Sequence, residues 1–171
     1  MIVGITGIEH KLGKAIAGQF TSVKSIDESL LSISECDVFI NNLAKGNLQK
    51  ILFTSVFNQW VNLNKTIVNI VSTIVFDEFN TLGSYGETKI DLYQTVKESI
   101  LNNPNKAVRV INIYPSTLSS NKNFDNLNKV DILEIAKLVK AVTNLPQEIE
   151  VRDLTVYSTS RDKKFDKTSI L

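Results

Sequence analysis

Short runs of β-branched residues alternate along this chain with longer segments whose apolar residues recur every three or four positions. The short runs predict strands at Ile2–Thr6, Val23–Ile26, Asp37–Asn41, Thr66–Ser72, Ala107–Tyr114 and Glu148–Ser158. Several are almost wholly apolar, as strands covered on both faces must be. The longer segments predict helices. Leu12, Ala15, Ile16 and Phe20 share one face; Leu48, Leu52, Val56, Trp60 and Leu63 share another. Ile90, Leu92, Val96 and Ile100 form a third, and Ile132, Ile135, Ala136, Val139 and Val142 a fourth. Strand–helix alternation with right-handed crossovers gives an α/β fold: a Rossmann-like, doubly wound, mostly parallel sheet in three α/β/α layers. Asp27 to Asp37 leaves room for one short helix only, so the sheet should lack an edge strand.

In such a sheet, ligands bind beyond the carboxyl ends of the strands, so residues just after strands are the candidates for chemistry. The stretch IVGITGIEHKLGKAIA reads as strand, glycine turn and helix. Gly7 ends the strand, and Gly13 lets the helix lie close to the sheet or to a phosphate-bearing ligand. A plain strand-to-helix turn is the bland alternative. Asp27 follows the second strand, where a carboxylate can accept hydrogen bonds from ribose hydroxyls and repel a 2′-phosphate. It could equally cap a helix in SIDESLL, where Ser25 and Glu28 have capping-box spacing. His10 and Lys11 pull the other way, because cations in this loop could hold a 2′-phosphate. The balance leans slightly to NAD over NADP.

The segment TIVNIVS predicts a strand ending at Ser72, and the next helix carries Tyr85 and Lys89 at i and i+4, on one face. A phenol is a poor acid or base near neutral pH, but a neighbouring ammonium favours phenolate and lowers its pKa. Tyr85 could then exchange a proton with a carbonyl or alcohol oxygen during hydride transfer, while Ser72 hydrogen-bonds the same oxygen. A second Tyr-x-x-x-Lys match, Tyr93 and Lys97 in YQTVK, lies about 12 Å further along the helix, away from the strand ends. It has no partner serine; the corresponding step back lands on Asn80. Tyr93 therefore reads as a packed tyrosine and Lys97 as a solvated lysine.

Composition narrows the field. At 171 residues the chain suits one domain, over 1–160, with a tail over 161–171. It is 43% hydrophobic and 22% charged, ordinary for a soluble globular protein. A formal net charge of +1 gives no broad attraction to nucleic acid or an anionic membrane, and no run reaches a membrane span. The single cysteine, Cys36, excludes an intrachain disulfide and reads as a buried filler. The single histidine, His10, has no second His or Cys at ligand spacing, so no metal is expected. A start without signal-peptide character points to the cytoplasm. The polar loop SSNKNFDNLNK, 119–129, is the candidate mobile segment.

These pieces, in this order, resemble the short-chain dehydrogenases/reductases. TGIEHKLG, 6–13, is similar to the Thr-Gly-x-x-x-Gly-x-Gly turn of that family, and DVFINNLA, 37–44, to its Asn-Asn-Ala-Gly strand end. VNIVS with Tyr85 and Lys89 matches its Ser, Tyr-x-x-x-Lys order; INIYPSTLSS and EIEVRDLTVYST resemble its last strands. The resemblance implies catalysis by Ser72, Tyr85 and Lys89, with Asn47 in a proton relay unless it merely caps its helix. It implies cofactor contacts from Gly7, His10, Lys11, Leu12, Gly13 and Asp27, from Asn41 and Asn42, and from Lys89, Pro115 and Ser120. Ser120 could instead close a local turn. NAD or NADP is the implied cofactor, and a small carbonyl compound or alcohol the substrate. A homodimer or tetramer through the helices near 47–63 and 84–102 is implied too, since Phe53, Phe57, Trp60, Leu92 and Tyr93 suggest apolar outer faces.

Three positions depart from the family pattern. Lys11 replaces the middle glycine of the turn, Ala44 the glycine after the Asn pair, and Ser116 the glycine of Pro-Gly. With the shortened chain, they favour a second reading: a non-catalytic, dinucleotide-sensing or protein-interaction module. A hydrolase has little support, because no Gly-x-Ser-x-Gly elbow is present.

Overall fold

The computed structural model describes residues 1–43, 45–76, 83–119 and 129–158. Six strands form one parallel sheet: β1 Val3–Ile5, β2 Val23–Ser25, β3 Val38–Asn41, β4 Thr66–Ile70, β5 Arg109–Pro115 and β6 Asp153–Val156. Their order is β2-β1-β3-β4-β5-β6, and every neighbouring pair is parallel. Among the described residues four helices cover it: α1 Lys11–Ala17, α2 Leu48–Trp60, α3 Gly83–Leu101 and α4 Ile132–Thr143. The expected missing edge strand is indeed absent. Between β2 and β3 the chain makes only one 3₁₀ turn, Ile33–Glu35, so the sheet ends at β2.

Strand alternation divides the core in two. Val38, Ile40, Val68, Ile70, Ile111 and Ile113 pack under α1 and α4. Phe39, Ile67, Val110 and Tyr114 face the opposite way, under α2 and α3. Phe53, Phe57, Trp60 and Leu92 are buried in that second layer. They cover the sheet and do not supply the outer apolar faces on which self-association was expected; Ile51 and Leu101 are the exposed apolar residues of these helices.

The α2/α3 face also carries a polar row at one level of the sheet. Asn41, Asn69, Asn112 and Asp153 are register partners on β3, β4, β5 and β6. Asn41 Nδ2 donates to Asn69 Oδ1 (3.2 Å), Asn69 Nδ2 to Asn112 Oδ1 (3.0 Å), and Asn112 Nδ2 to Asp153 Oδ1 (3.0 Å). Tyr114 donates its phenol proton to the same Asp153 oxygen at 2.7 Å. Each of these buried amides bonds a neighbour across the strand gap, although Asn41 Oδ1, at the end of the row, is buried without a partner among the described residues. Asn69→Ala removes the middle rung and strands the Asn112 acceptor. The expected cost is about 1–3 kcal/mol, a fall of roughly 2–12 °C in Tm by calorimetry. An unchanged Tm would show that the row contributes nothing to stability.

Candidate active site

A cleft of about 1110 Å³ opens along the carboxyl ends of the strands. Its floor is two turns pinned together by Thr6. The Thr6 hydroxyl accepts from the backbone N–H of Asn42 (2.9 Å) and of Leu43 (3.1 Å), joining the turn after β1 to the turn after β3. Gly7 has φ +64°, the left-handed region that glycine tolerates. Gly13 is there for closeness: a Cβ at this position would lie 2.1 Å from the Gly7 carbonyl oxygen. The glycines at both ends of TGIEHKLG are thus required by backbone geometry, as the sequence implied.

One end of the cleft is charged. Asp27 Oδ1 accepts from the Ser29 N–H (3.0 Å) and hydroxyl (2.5 Å), and these bonds lower its pKa, so it stays ionised. It forms a local turn and not the helix cap that SIDESLL allowed; Ser25 ends β2. Glu28 pairs with Lys45 at 3.6 Å, and Glu9 with His10 at 3.2 Å. Lys11, first residue of α1, is exposed on the same rim.

Ser72, Tyr85 and Lys89 line the other part of the cleft together with Pro115. Ser72 sits two residues beyond β4, not at its end, and its Oγ accepts from Ile74 N–H at 3.3 Å as the chain enters a 3₁₀ turn, Thr73–Phe76. Tyr85 is 48% exposed and reaches into the cleft from the first turn of α3. Burial of its phenol raises its pKa, against a smaller lowering by the Ser72 hydroxyl. The expected lowering by Lys89 is not found. The Lys89 ammonium lies 5.5 Å from the Tyr85 ring centre but hydrogen-bonds Gln49 Oε1 (2.6 Å) and the Ile70 carbonyl (3.2 Å). Lys89 is 3% exposed, and burial pulls its pKa down to about 8.

The cleft therefore gathers Gly7, His10, Lys11, Leu12, Asp27, Asn42, Ser72, Tyr85, Lys89 and Pro115. Gly13 and Asn41 lie beneath it: Gly13 against the Gly7 turn, Asn41 fully buried against α2 and β4. Asn47 is not brought in. It is the exposed N-cap residue of α2 and makes no capping bond. Two residues on, Gln49 turns inward and reaches Lys89. The signal for Gln49 was present, because it shares the buried face of Leu52, Phe53 and Val56, where a polar residue needs a reason. Ser116 and Thr117 also line the cleft and went unnoticed as site residues. Ala44, Ser120 and the tail from 161 lie outside the described residues, as does 120–128 of the polar loop. Tyr93 packs against Phe76 (6.0 Å) and Tyr114 (6.1 Å), which agrees with its reading as a packing residue.

No protein-family model and no curated protein matches this sequence. Solved structures do. The alcohol dehydrogenase of the archaeon Thermococcus sibiricus, complexed with 5-hydroxy-NADP, is 16% identical with a TM-score of 0.76, over 96% of this chain and 100% of that one. A short-chain dehydrogenase/reductase from Vibrio parahaemolyticus is 12% identical with a TM-score of 0.73, over 91% and 98%. The 3-ketoacyl-(acyl-carrier-protein) reductase of Brucella melitensis, complexed with NADH, is 15% identical with a TM-score of 0.71, over 91% and 96%. This chain has the Rossmann-like fold of short-chain dehydrogenase/reductase structures. Among the described residues no helix is long and apolar enough to cross a membrane, and no group of acidic, His and Cys side chains could hold a metal.

Proposed function

We propose that the protein is an NAD(P)-dependent oxidoreductase that interconverts a small carbonyl compound and its secondary alcohol, with Tyr85 as the acid/base. The observation that carries this reading is that Ser72, Tyr85 and Lys89 share one cleft with the Gly7 turn and Asp27. A dinucleotide fits the residues present. The cleft exceeds the usual range of about 300–1,000 Å³ for small-molecule sites, and the bare backbone at Gly7 allows close approach. A bound nicotinamide supplies or receives the hydride. Tyr85 gives the carbonyl oxygen a proton in reduction and takes it back in oxidation. Ser72 hydrogen-bonds that oxygen as charge develops. Lys89 offers its remaining N–H to a hydroxyl in the cleft. Ionised Asp27 favours NAD(H), because it accepts from ribose hydroxyls and repels a 2′-phosphate.

A dinucleotide-sensing module without turnover is the second reading. The observations that favour it are Lys11 in place of a glycine and a Lys89 held on protein acceptors. Thermal unfolding with each of NAD, NADH, NADP and NADPH tests the shared premise. A ligand at 100 times its Kd adds about 2.7 kcal/mol, or ~5–10 °C in Tm. A larger shift with NADH than with NADPH is expected. No shift with any of the four would sink both readings.

A further inference from the structure

Lys89 is a buried cation, and no carboxylate neutralises it among the described residues; burial is the cause of its lowered pKa. An ammonium in such a place needs acceptors fixed in advance. One is the Ile70 carbonyl at 3.2 Å; the nearer is Gln49 Oε1 at 2.6 Å. Gln49 is itself 3% exposed, and every polar group of its side chain is committed. Its Nε2 donates to Asn41 O at 2.7 Å and to Ile70 O at 2.8 Å. The Gln49 backbone carbonyl accepts from Asn41 Nδ2 at 2.8 Å. Two carbonyls thus decide which end of the amide faces Lys89. Turned over, the amide would set NH₂ against the ammonium and oxygen against both carbonyls.

We infer that Gln49 is a positioning residue: its amide clamps the Lys89 ammonium to the ends of β3 and β4 and so fixes the cation beside Tyr85. The clamp stands on these contacts; its consequence for catalysis rests on the oxidoreductase reading. Gln49 Oε1 and Ile70 O take two of the three N–H bonds of Lys89, which leaves one for a ligand in the cleft. The other charged or titratable groups of α2 and α3 are Tyr85, whose ring lies 5.5 Å from the Lys89 ammonium, the Lys50–Asp91 pair at 2.6 Å, Tyr93, and the exposed Glu87, Lys97 and Glu98; β3 and β4 carry none.

The test is the titration of Lys89 in ¹³C-lysine-labelled full-length protein, its resonance assigned by its loss in Lys89→Arg. Gln49→Met removes the acceptor of the charged form and should lower the Lys89 midpoint by a unit or more, a tenfold loss of proton affinity. Gln49→Glu sets a carboxylate in its place and should raise the midpoint by a similar amount. Midpoints unmoved in both folded variants would overturn the inference. The native protein gives a second arm should neither variant fold. Both Gln49 Nε2 protons should exchange with solvent at least ~100-fold more slowly than those of exposed Gln94. Exchange as fast as at Gln94 would also overturn it. NADH as the probe separates this from the proposed function. A tenfold or greater loss of NADH affinity in Gln49→Met ties the clamp to the site, whereas a native protein that binds neither NADH nor NADPH overturns the oxidoreductase reading, whatever Lys89 does.

Discussion

Tyr85→Phe is expected to lower NADH-dependent reduction of small ketones and aldehydes by about 10²–10⁴-fold, the usual contribution of a positioned acid or base. Dinucleotide binding should stay within about twofold of native, because the phenyl ring remains and only the reacting O–H is lost. The direction of the pKa shift adds a pH signature. Burial holds the phenol above its ordinary value, so Tyr85 is protonated at neutral pH. Reduction needs that proton and should be flat from pH 6 to 7, below the midpoint of about 8 at which buried Lys89 loses its charge. Oxidation of an alcohol needs phenolate and should rise about tenfold per pH unit over the same range, because the fraction ionised grows tenfold per unit below the pKa. A Tyr85→Phe variant as active as the native chain would remove Tyr85 from the chemistry. Equal flatness in both directions would deny it the acid/base role.

The layers of the fold were legible because strands covered on both faces are mainly apolar, and β1, β3, β4 and β5 are so apart from Asn41, Thr66, Asn69, Arg109 and Asn112. Their ends were harder to read. Glu148–Arg152 looked like strand, but Ile149 N–H bonds Pro146 O in a turn and Glu150 pairs with Lys106 and Arg152, so β6 starts only at Asp153. Ser72, read as a strand end, lies in the following turn for the same reason: β-propensity continues past the last ladder bond. Helix faces misled in one respect. Phe53, Phe57 and Trp60 on α2 and Leu92 on α3 read as apolar residues on more than one face, yet a helix laid across a sheet buries a broad stripe, and on each helix they fall within it. The spacing of Ser72, Tyr85 and Lys89 announced a shared cleft. It could not announce the partner of Lys89, because i, i+4 geometry fixes a helix face and says nothing of the neighbouring helix. The resemblance implied Asn47, which is exposed at the start of α2, whereas the buried polar residue of that helix is Gln49, two positions further on.

Gly13→Ala should be strongly destabilising, although simple helix propensity says the opposite. Alanine in a helix interior is worth about 1 kcal/mol over glycine. At position 13 the added Cβ would sit 2.1 Å from Gly7 O, 2.8 Å from Gly7 C and 2.9 Å from Ile8 Cα. All three are backbone atoms, so no side chain can swing aside. Nor can the turn retreat freely, since Gly7 O accepts from His10 N–H at 3.1 Å and Gly7 already occupies the left-handed region. Relief requires α1 to lift by about 1 Å, which loosens Leu12 and Ile16 from the core beneath α1 and α4. Overpacking of this kind outweighs the propensity gain, leaving a net loss of about 2–4 kcal/mol and a Tm lower by roughly 4–16 °C. Gly18→Ala is the control. Gly18 has φ −62°, and a Cβ there meets nothing nearer than 3.6 Å, so its Tm should be unchanged or slightly higher. Lifting α1 also moves Lys11 and Leu12, which line the cleft, so NADH affinity in Gly13→Ala should fall more than stability alone explains. A Gly13→Ala protein as stable as Gly18→Ala, binding NADH as tightly as the native chain, would show that the close contact between α1 and the turn builds neither the fold nor the site.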